Sequence, residues 1–573
     1  MKKKVILSLT PIGHDTAASL MIDGEIVAAC AQERYTRDKH SYKFPIDAVK
    51  DCLSIGGISI NDVDMVSVTW MPDLIIREQY LKSALKNDNR LAFLINDLEL
   101  IKNLFNSENI VRKELNYNGR VEFLNHHLCH LASTYYSSGF DDALVVSYDG
   151  VGEIDTMAIG IGESGEIFVK ENNNKYPNSL GLLYAAVTHY LGWKYCYDEG
   201  IVMGLASLGD PNAIIPGKDI SYLKVFEETL KIKDDFTFEL NIPDYMNFFD
   251  ERDVWIGKKF IEFFGNKREK NDPITKHHMN IAAGLQRRIE DVVILQLKAA
   301  KKKYKKNKLC ISGGVGLNCT MNGKISSMKI FDEIFVVPPS GDEGTTIGAC
   351  YLGHKLLGNK IYNKKRHNFY LGSRFKDKEI LDAITECKVK YYQSKNIYKD
   401  TAERLAEGKI IAWFQDGAEF GPRALGNRSI LTKPYPAEMK DYLNERVKFR
   451  ESFRPYAPAV MKEYATDYFE INQESPHMLM AVRAKDNNKK NIAATVHSDG
   501  SSRVQTVTKE SNIRFWKLLN AFYEKTKIPV ILNTSFNVKG QPIVNKPKEA
   551  IETFLSTNID CLVIGDFVMD KDK

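Results

Sequence analysis

Short apolar runs separated by polar turns open the chain and predict β-strands. Val5–Leu9, Ala18–Ile22 and Glu25–Ala29 are three such runs, and Asp23-Gly24 between the last two is a two-residue hairpin signal. Because the first run is short, the basic N-terminus indicates a first strand of a cytoplasmic protein and not a secretory signal.

The same strand, loop and hairpin pattern returns in the middle of the first half. Leu144–Tyr148 predicts a strand, Asp149-Gly150 a loop and Ala158–Ile161 a second strand, and a turn at Glu163-Ser164-Gly165 leads into Glu166–Val169. Two copies of one unit predict an internal duplication. Two unrelated hairpins are the alternative.

The rest of the chain alternates between helical and strand patterns. Residues 180–300 have a mainly helical pattern, and strands are predicted at Lys308–Ile311 and Ile334–Val337. A domain boundary is predicted near 355–372, where Gly358-Asn359-Lys360 and Asn363-Lys364-Lys365-Arg366 interrupt the periodicity. The C-terminal part alternates again, with clear strands at Ile410–Phe414 and Val530–Leu532 and a helix opened by Pro547. Such alternation favours an α/β fold.

Composition is that of a soluble globular protein. The 573 residues are 43% hydrophobic and 27% charged, and no apolar stretch approaches the roughly 18–20 residues of a membrane span. The net charge of +5 is small for this length, and the basic run Lys301–Lys306 is interpreted as a solvated helix end, with a nucleic-acid patch as the alternative. Nine scattered cysteines without a C-x-x-C pair indicate reduced thiols.

Two histidines are spaced like metal ligands. In Asn125-His126-His127-Leu128-Cys129-His130, His126 and His130 are four residues apart and share one face of a helix. Asp149 and Asp342 both lie in glycine-adjacent loops after predicted strands. Two imidazoles with carboxylates suit a divalent transition metal such as iron, manganese or zinc. A purely structural histidine pair is the alternative.

A glycine-rich turn follows the strand at Lys308–Ile311. In Ser312-Gly313-Gly314-Val315-Gly316-Leu317-Asn318, glycines allow backbone N–H groups to approach an anion at a helix N-terminus. The turn Pro338–Gly344 follows the next strand, and together the two turns resemble one wall of an ATP cleft. An ordinary glycine turn is the alternative, because the sequence is not a Walker A motif.

Cations recur beside Gly, Pro and Asn in the second half. They lie in Phe420–Ser429, Lys448–Pro455 and Gly500–Arg503, and small polar donors occupy Asn533–Asn537. Arginine binds phosphate or carboxylate with two parallel hydrogen bonds, so the set suits a dianionic substrate. Solvated surface pairs are the alternative for each segment taken alone.

Taken together, the motifs resemble the NodU/CmcH family of O-carbamoyltransferases, and the resemblance covers almost the whole chain. It rests on these segments, in this order: Gly13-His14-Asp15, His126–His130, Val202–Ala206, Ser312–Asn318, Ser340–Gly344, Phe420–Ser429, Lys448–Pro455 and Asn533–Asn537. It implies a duplicated actin-like (ASKHA-type) N-terminal domain followed by a YrdC-like α/β domain. We place these at residues 1–358 and 359–573, with an acceptor-side helical region at about 180–300.

The resemblance implies a two-step reaction. Carbamoyl phosphate and ATP, the latter with Mg²⁺, first give carbamoyl-adenylate in the YrdC-like domain. A hydroxyl of an acceptor then attacks the carbamoyl carbon in the N-terminal domain, and AMP leaves. Because the adenylate is labile, we expect a tunnel or closed cleft between the two sites.

The resemblance also implies roles for individual residues. His14 matches a proposed general base, and His126, His130, Asp149 and Asp342 match a metal site that usually holds iron (Fe²⁺). Gly313, Gly314 and Asn318 match the nucleotide loop. The carbamoyl phosphate and ATP pocket matches Arg423, Lys448, Arg454, Arg503, Asn533 and Ser535.

Other functions are compatible with parts of the pattern. A nucleotide-binding regulator or scaffold of the actin-like fold would lack catalysis, and a related transferase would act on tRNA or on a protein. The hydrogenase-maturation enzyme of this kind has paired C-x-x-C motifs, which are absent here. A metallopeptidase is disfavoured because no glutamate follows His126.

The acceptor is not identified by the sequence. A small hydroxyl compound such as a natural product or sugar is expected; a modified nucleoside or nucleic acid stays open without support from the charge, and a homodimer stays open too. Aromatic residues between 245 and 264 are interpreted as a buried core stripe, with an acceptor wall as the alternative. They are Tyr245, Phe248, Phe249, Trp255, Phe260, Phe263 and Phe264.

Overall fold

The computed structural model describes residues 3–234, 236–251, 253–362 and 365–571. Two predicted features fall partly outside these ranges: Met1 and Lys2 of the basic start, and Asn363-Lys364 of the predicted boundary.

The first sheet has the strand order β3-β2-β1-β4-β5. β1, β2 and β3 form an antiparallel meander, and β4 and β5 continue parallel to β1. The strands are β1 (Val5–Thr10), β2 (Ala17–Ile22), β3 (Glu25–Ala31), β4 (Met65–Val68) and β5 (Arg120–Phe123).

The second sheet repeats this topology. Its order is β12-β11-β6-β7-β8, in which β6, β7 and β8 form the meander and β11 and β12 run parallel to β6. The strands are β6 (Asp142–Tyr148), β7 (Met157–Glu163), β8 (Glu166–Glu171), β11 (Lys308–Ser312) and β12 (Glu333–Val336), while β9 (Leu230–Ile232) and β10 (Phe238–Leu240) form a separate hairpin. The predicted internal duplication is therefore confirmed.

The two meanders are closed by the same kind of turn. Asp23 and Gly24 have φ of 51° and 85°, and Ser164 and Gly165 have φ of 52° and 80°. Positive φ at both central residues is typical of the type I′ hairpin turn, which matches the right-handed twist of the flanking strands. Each turn was predicted from its glycine.

Fifteen α-helices accompany these sheets in the described part of the N-terminal half. They are α1 (Glu33–Thr36), α2 (Ile46–Gly56), α3 (Pro72–Leu74), α4 (Lys82–Lys86), α5 (Asp88–Asn96), α6 (Leu98–Phe105), α7 (Ser107–Leu115), α8 (His126–Ser138), α9 (Leu180–Tyr190), α10 (Glu199–Ala206), α11 (Tyr222–Thr229), α12 (Lys258–Phe264), α13 (Lys276–Tyr304), α14 (Cys319–Ser327) and α15 (Asp342–Leu356). The helical character predicted for 180–300 is confirmed.

Helices α8 and α15 cross at the centre of this half. Gly348 of α15 lies so close to the Cys129 carbonyl of α8 that a Cβ would be 1.9 Å from that oxygen. Only glycine permits this approach. As a result, the first turns of the two helices, with His126, His130 and Asp342, face one another across a short distance.

Two predictions are confirmed: the basic run lies at the end of a helix, and the aromatic residues between 245 and 264 contribute to the core. The basic run closes α13, where Lys303 pairs with Glu171 at 2.6 Å and Lys306 pairs with Asp142, as expected of a solvated helix end. The aromatic residues between 245 and 264 belong to the apolar core or pack against it.

The C-terminal part is built on an eight-stranded mixed sheet of order β13-β22-β21-β14-β15-β20-β16-β19. Its strands are β13 (Tyr392–Gln393), β14 (Ile411–Phe414), β15 (Arg428–Thr432), β16 (Ala457–Met461), β19 (Gln505–Val507), β20 (Val530–Ser535), β21 (Cys561–Ile564) and β22 (Phe567–Asp570), and β17 (Ala481–Arg483) pairs with β18 (Ser501–Arg503) in a separate hairpin. The helices are α16 (Asp377–Cys387), α17 (Ile397–Ala406), α18 (Met439–Leu443), α19 (Ala465–Tyr468), α20 (Ile513–Thr526) and α21 (Pro547–Ser556). The predicted α/β class is confirmed; the YrdC-like topology stays a prediction.

One strand is longer than predicted. Asn533 and Ser535 were expected after the strand that begins at Val530, but both lie within β20. Asn533 pairs with Leu431 and Ala457 on its two sides, and Ser535 pairs with Ser429. Two flanking strands extend β20 although its last residues are polar, because the backbone hydrogen bonds do not depend on side-chain polarity.

The two parts share a close interface. Asn322 of α14 donates from Nδ2 to the Leu479 carbonyl at 3.0 Å. A Cβ on Gly323 would lie 1.8 Å from the Ala481 carbonyl, so α14 packs directly on the β17–β18 hairpin. One apolar cluster contains both Leu144 of β6 and Val460 of β16. No helix in the described ranges is long and apolar enough to cross a bilayer.

Candidate active site

Four buried side chains converge where α8, β6 and α15 meet. His126 and His130 project from the first two turns of α8, Asp149 directly follows β6, and Asp342 is the first residue of α15. Their ligand atoms all lie within 4.8 Å of one another. The sequence placed Asp342 in a loop, but it begins a helix, where a carboxylate is favoured by the helix dipole.

The four groups present acceptor atoms to a common point. His126 Nε2 is 3.1 Å from His130 Nε2 and 3.4 Å from both Asp149 Oδ2 and Asp342 Oδ1. His126 Nδ1 lies 3.3 Å from the Thr69 carbonyl, to which it donates, so Nε2 is the nitrogen whose proton a bound cation would displace. Two imidazole lone pairs and two carboxylates repel one another unless a cation lies between them. The residues therefore fit a divalent transition metal.

The charges of these four residues shift the pKa values of one another. Burial lowers the pKa of His126, but the carboxylates of Asp342 and Asp149 outweigh burial and raise it to about 10. The same histidine holds the pKa of Asp342 at about 2 against the opposing effect of burial. Both carboxylates are therefore ionised at neutral pH and available as ligands.

A neighbouring histidine does not belong to the cluster. His127 Nε2 donates to the Asp155 carbonyl at 2.8 Å, and its Nδ1 accepts from the Ser147 hydroxyl at 2.7 Å. Burial lowers the pKa of His127 to about 3. Both of its nitrogens are used, so His127 fixes α8 against β6.

Two supporting residues were not found from the sequence. Trp70 stacks on His126 with ring centroids 4.0 Å apart. Glu153 is buried and accepts from the backbone N–H groups of Met71 and His126 at 2.9 and 3.0 Å, which anchors the N-terminus of α8. The sequence signal that could have indicated Glu153 is its position in the loop after β6, next to Gly150 and Gly152.

The glycine loop is the segment Ser312–Asn318, and we call the four residues His126, His130, Asp149 and Asp342 the metal-type cluster. The glycine loop contacts the metal-type cluster directly. Asp149 Oδ1 accepts from the Gly314 N–H at 2.7 Å, while its other oxygen faces His126. Gly313 has φ of 85°, and a Cβ there would lie 2.2 Å from the Tyr148 carbonyl, so the loop requires glycine. One carboxylate thus joins the predicted nucleotide loop to the predicted metal site.

Asn318 lies in this loop but its side chain has structural partners. Its Oδ1 caps α14 by accepting from the Met321 N–H at 3.0 Å, and its Nδ2 donates to Gln286 Oε1 at 2.9 Å. Any contact of residue 318 with a nucleotide would therefore compete with the helix cap.

Five cations of the C-terminal part form what we call the cationic pocket: Arg423, Lys448, Arg450, Arg454 and Arg503. Lys448 is buried and the four arginines are half-buried. The Nε atoms of Arg423, Arg450 and Arg503 are buried without a hydrogen-bond partner. Glu451 is the acidic neighbour, with Oε2 3.6 Å from Arg454.

These cations destabilise one another. Desolvation, followed by the charges of Arg423 and Arg454, lowers the pKa of Arg503 to about 9. Desolvation, followed by the charges of Arg450 and Arg454, lowers the pKa of Lys448 well below its ordinary value. Unpaired donors and mutual repulsion are what a pocket for a multiply charged anion requires before the anion binds.

The predicted polar residues Ser535 and Asn533 lie beside these cations: Lys448 contacts the Ser535 hydroxyl, and Asn533 donates to the carbonyl of Ala424, next to Arg423. Lys448 Nζ donates to the Ser535 and Asn537 carbonyls at 2.5 and 3.0 Å. Asn533 Nδ2 donates to Gln505 Oε1 at 2.9 Å, and its Oδ1 is buried without a partner. Arg428, from the same motif as Arg423, is different: its guanidinium donates to the Ser373 and Asp416 carbonyls and is structural.

The cationic pocket faces the N-terminal half. Arg423 and Arg503 both interact with Cys319, the first residue of α14 and the neighbour of the glycine loop. On another side, Arg423 and Arg454 lower the pKa of Lys39, for which desolvation is the larger cause.

His14 lies in the loop between β1 and β2. Its Nδ1 donates to Asp15 Oδ2 at 2.8 Å, and its side chain is 35% exposed. Burial opposes protonation of His14, but Asp15, Cys196 and the charge of Asp342 raise its pKa well above the ordinary value. The influence of Asp342 indicates that His14 and the metal-type cluster lie in one electrostatic environment.

Sequence comparisons identify the family. A family model described as the carbamoyltransferase N-terminus matches residues 5–351, and one described as the carbamoyltransferase C-terminus matches residues 402–571. The chain belongs to the carbamoyltransferase family. The resemblance inferred from the motifs is thereby confirmed, and the protein is a carbamoyltransferase enzyme.

The chain is also similar to two named relatives and, more distantly, to a solved structure. The carbamoyltransferase is 33% identical to the nodulation protein NolNO of Sinorhizobium fredii over 97% of this chain and 79% of that protein. It is 32% identical to 3′-hydroxymethylcephem-O-carbamoyltransferase of Amycolatopsis lactamdurans over 45% of this chain and 48% of that enzyme. A solved structure of full-length HypF in its phosphate- and nucleotide-bound form matches with a TM-score of 0.31 and 12% identity, covering 63% of this chain and 57% of that chain.

Proposed function

We propose that this carbamoyltransferase is an ATP-dependent O-carbamoyltransferase that works through carbamoyl-adenylate. The observation that carries the proposal is the cationic pocket, in which three of five cations have a buried unpaired Nε and two of them, Arg423 and Arg503, interact with Cys319 of α14 beside the glycine loop. Residues 359–573 would make the adenylate and residues 1–358 would transfer its carbamoyl group to an acceptor hydroxyl.

In the first step, carbamoyl phosphate releases inorganic phosphate on hydrolysis. An oxygen of the resulting carbamate then bonds the α-phosphorus of ATP, and pyrophosphate leaves with the electron pair of the broken P–O bond. Arg423, Arg454 and Arg503 supply donors and charge to the phosphates. Lys448, Asn533 and Ser535 orient the small carbamoyl group, because Asn533 and Ser535 lie in the last half of β20 and Lys448 donates to Ser535.

In the second step, the acceptor oxygen bonds the carbamoyl carbon and the bond from that carbon to AMP breaks. His14 Nε2 takes the hydroxyl proton, since Nδ1 is held by Asp15. Gly313 presents its backbone N–H group toward the AMP phosphate, while the Gly314 N–H stays bonded to Asp149. A divalent transition metal, in our proposal Fe²⁺, would be held by His126, His130, Asp149 and Asp342 and would supply positive charge near the departing AMP.

The test separates the two half-reactions. Purified enzyme, reconstituted with Fe²⁺, is mixed with ATP and Mg²⁺, and pyrophosphate release is measured as carbamoyl phosphate is added. We expect release to depend on carbamoyl phosphate without any acceptor. Hydroxyl compounds, including amino sugars and nucleosides, are then added, and a carbamoylated product is identified by its mass.

Two outcomes would contradict the proposal. A rate of pyrophosphate release that does not depend on the carbamoyl phosphate concentration would refute the adenylate step. Direct carbamoyl transfer without ATP would also refute it, while leaving the family assignment intact.

A further inference from the structure

Two histidines share one carboxylate beside the proposed transfer site. Asp15 Oδ2 accepts from His14 Nδ1 at 2.8 Å, and Asp15 Oδ1 accepts from His40 Nδ1 at 2.7 Å. His40 lies 25 residues further along the chain, in the loop after α1. The carboxylate is therefore held at both oxygens and cannot rotate without breaking one hydrogen bond.

The backbone at both ends of this arrangement is in an uncommon conformation. Asp15 has φ of 60° and His40 has φ of 55°, in the left-handed region that non-glycine residues rarely adopt. Such conformations are strained and cluster where a side chain must be aimed. His40 Nε2 is buried without a hydrogen-bond partner. The hydrogen bond that the ring makes is the one from Nδ1 to Asp15.

The geometry defines what His40 does for His14. In the neutral form of His14, with Nδ1 donating to Asp15, the lone pair lies on Nε2, the atom that must accept a proton from an alcohol. Because the pKa of His14 is raised, this form requires a correspondingly higher pH. His40 fixes the second oxygen of Asp15 and withdraws negative charge from it. His40 is itself braced by Tyr197, whose ring centroid lies 4.3 Å away.

We propose that His40 is a positioning residue for carbamoyl transfer, which holds Asp15 so that His14 Nε2 faces the acceptor hydroxyl. This rests on the proposed function, in which that hydroxyl proton moves to His14 Nε2 while the Nδ1 proton stays on His14, bonded to Asp15.

Other charged or titratable groups surround the pair from each packed element. They are Glu33 of α1, Tyr42 of the same loop as His40, Cys196, Tyr197 and Glu199 before and in α10, and Asp342 and Glu343 of α15. None of them replaces the hydrogen bond from His40 to Asp15 Oδ1 among the described contacts, so removing the imidazole leaves this oxygen without its donor.

The test uses two substitutions at residue 40 in the full-length, Fe²⁺-loaded enzyme. His40→Asn places an amide N–H where Nδ1 lies and tolerates the left-handed backbone; His40→Gly also tolerates it but removes the donor. Histidine labelled with ¹⁵N reports the tautomer and titration of His14, assigned with His14→Ala. The rate of methyl carbamate formation, with methanol as the hydroxyl probe, is followed in a single turnover across pH.

We expect His40→Gly to raise the pKa of His14, and with it the midpoint of the acid limb of the pH–rate profile for transfer, by about one pH unit. On that limb the transfer rate should fall about tenfold. The sign is fixed because Asp15, freed from His40, places more negative charge on His14. We expect His40→Asn to restore most of the parental profile and tautomer. Pyrophosphate release should be parental in both variants.

Each other result counts against the inference. Parental titration and rates in His40→Gly would overturn it. Equal slowing of both variants with an unchanged profile would show a merely structural role. If His14→Ala transfers at the parental rate, His14 is not the base, and both this inference and the transfer step of the proposed function fail, whereas the adenylation step is judged separately by pyrophosphate release.

Discussion

Replacing Arg503 by methionine should make the ligand-free enzyme more stable and its first half-reaction much weaker. Desolvation and the charges of Arg423 and Arg454 lower the pKa of Arg503 by several units from its ordinary value to about 9. Each pKa unit corresponds to about 1.4 kcal/mol, so keeping this cation in place costs the ligand-free protein several kcal/mol at most. Methionine removes the charge and keeps an unbranched chain, and we expect a gain of about 1–2 kcal/mol because Arg503 retains some solvent.

The pH dependence of this gain follows from the direction of the shift. Below about pH 9, Arg503 is protonated in both folded and unfolded states, so the folded state carries the whole penalty. Above that pH the folded state loses the proton while the unfolded state keeps it, and parental stability recovers. The stabilisation by Arg503→Met should therefore be constant between pH 6 and 8 and should shrink above pH 9.

The functional loss has its own magnitude. A hydrogen bond from a charged donor contributes about 1.5–3 kcal/mol, which corresponds to about 10–150-fold in affinity for the anion. We expect the carbamoyl phosphate concentration for half-maximal pyrophosphate release to rise by that factor. Thermal unfolding and denaturant titration measure the stability of the same preparations.

Arg483 provides a matched control. It belongs to the strand that pairs with the Arg503 strand, but its side chain is exposed. Arg483→Met should change neither stability nor pyrophosphate release appreciably. If Arg503→Met is less stable than the parent and keeps its carbamoyl phosphate dependence, the cationic pocket is not an anion site.

Three further predictions concern the other parts of the site. His130→Ala should lose most bound metal by elemental analysis and abolish transfer while pyrophosphate release continues, whereas His127→Ala should keep its metal; equal metal content in both would contradict the cluster. His14→Ala should slow transfer by about 10²–10⁴-fold without affecting pyrophosphate release, and a parental transfer rate would argue against a base at this position. Gly323→Val should lower the melting temperature by several degrees, since a Cβ would lie 1.8 Å from the Ala481 carbonyl, and an unchanged melting temperature would show that the interface adapts.

Local patterns in the sequence predicted local structure well. The hairpin turns at Asp23-Gly24 and Ser164-Gly165 follow from the conformational freedom of glycine, and the helical spacing of His126 and His130 follows from 3.6 residues per turn. The metal-type cluster could be predicted in part because His126 and His130 share a helix face and Asp149 directly follows a strand.

Partners distant in the chain could not be predicted in the same way. Arg423 and Arg428 occupy one motif and look alike in sequence, yet Arg423 interacts with Cys319 of α14, whereas the guanidinium of Arg428 donates to backbone carbonyls and packs on Phe414 at 3.6 Å. The difference arises because Arg428 begins β15, whereas Arg423 lies in the loop before that strand. The hydrogen bond from His40 to Asp15 likewise depends on how two loops fold back on each other.

The apolar cluster that joins Leu144 to Val460 has a consequence for how the chain folds. A polypeptide stopped before the eight-stranded sheet would leave the side of α14 that packs on the β17–β18 hairpin, and the apolar residues behind it, in water. We therefore expect each of the two predicted domains to be less stable without the other. During synthesis the N-terminal half must wait for more than a hundred further residues, and we expect it to need chaperone protection for that interval.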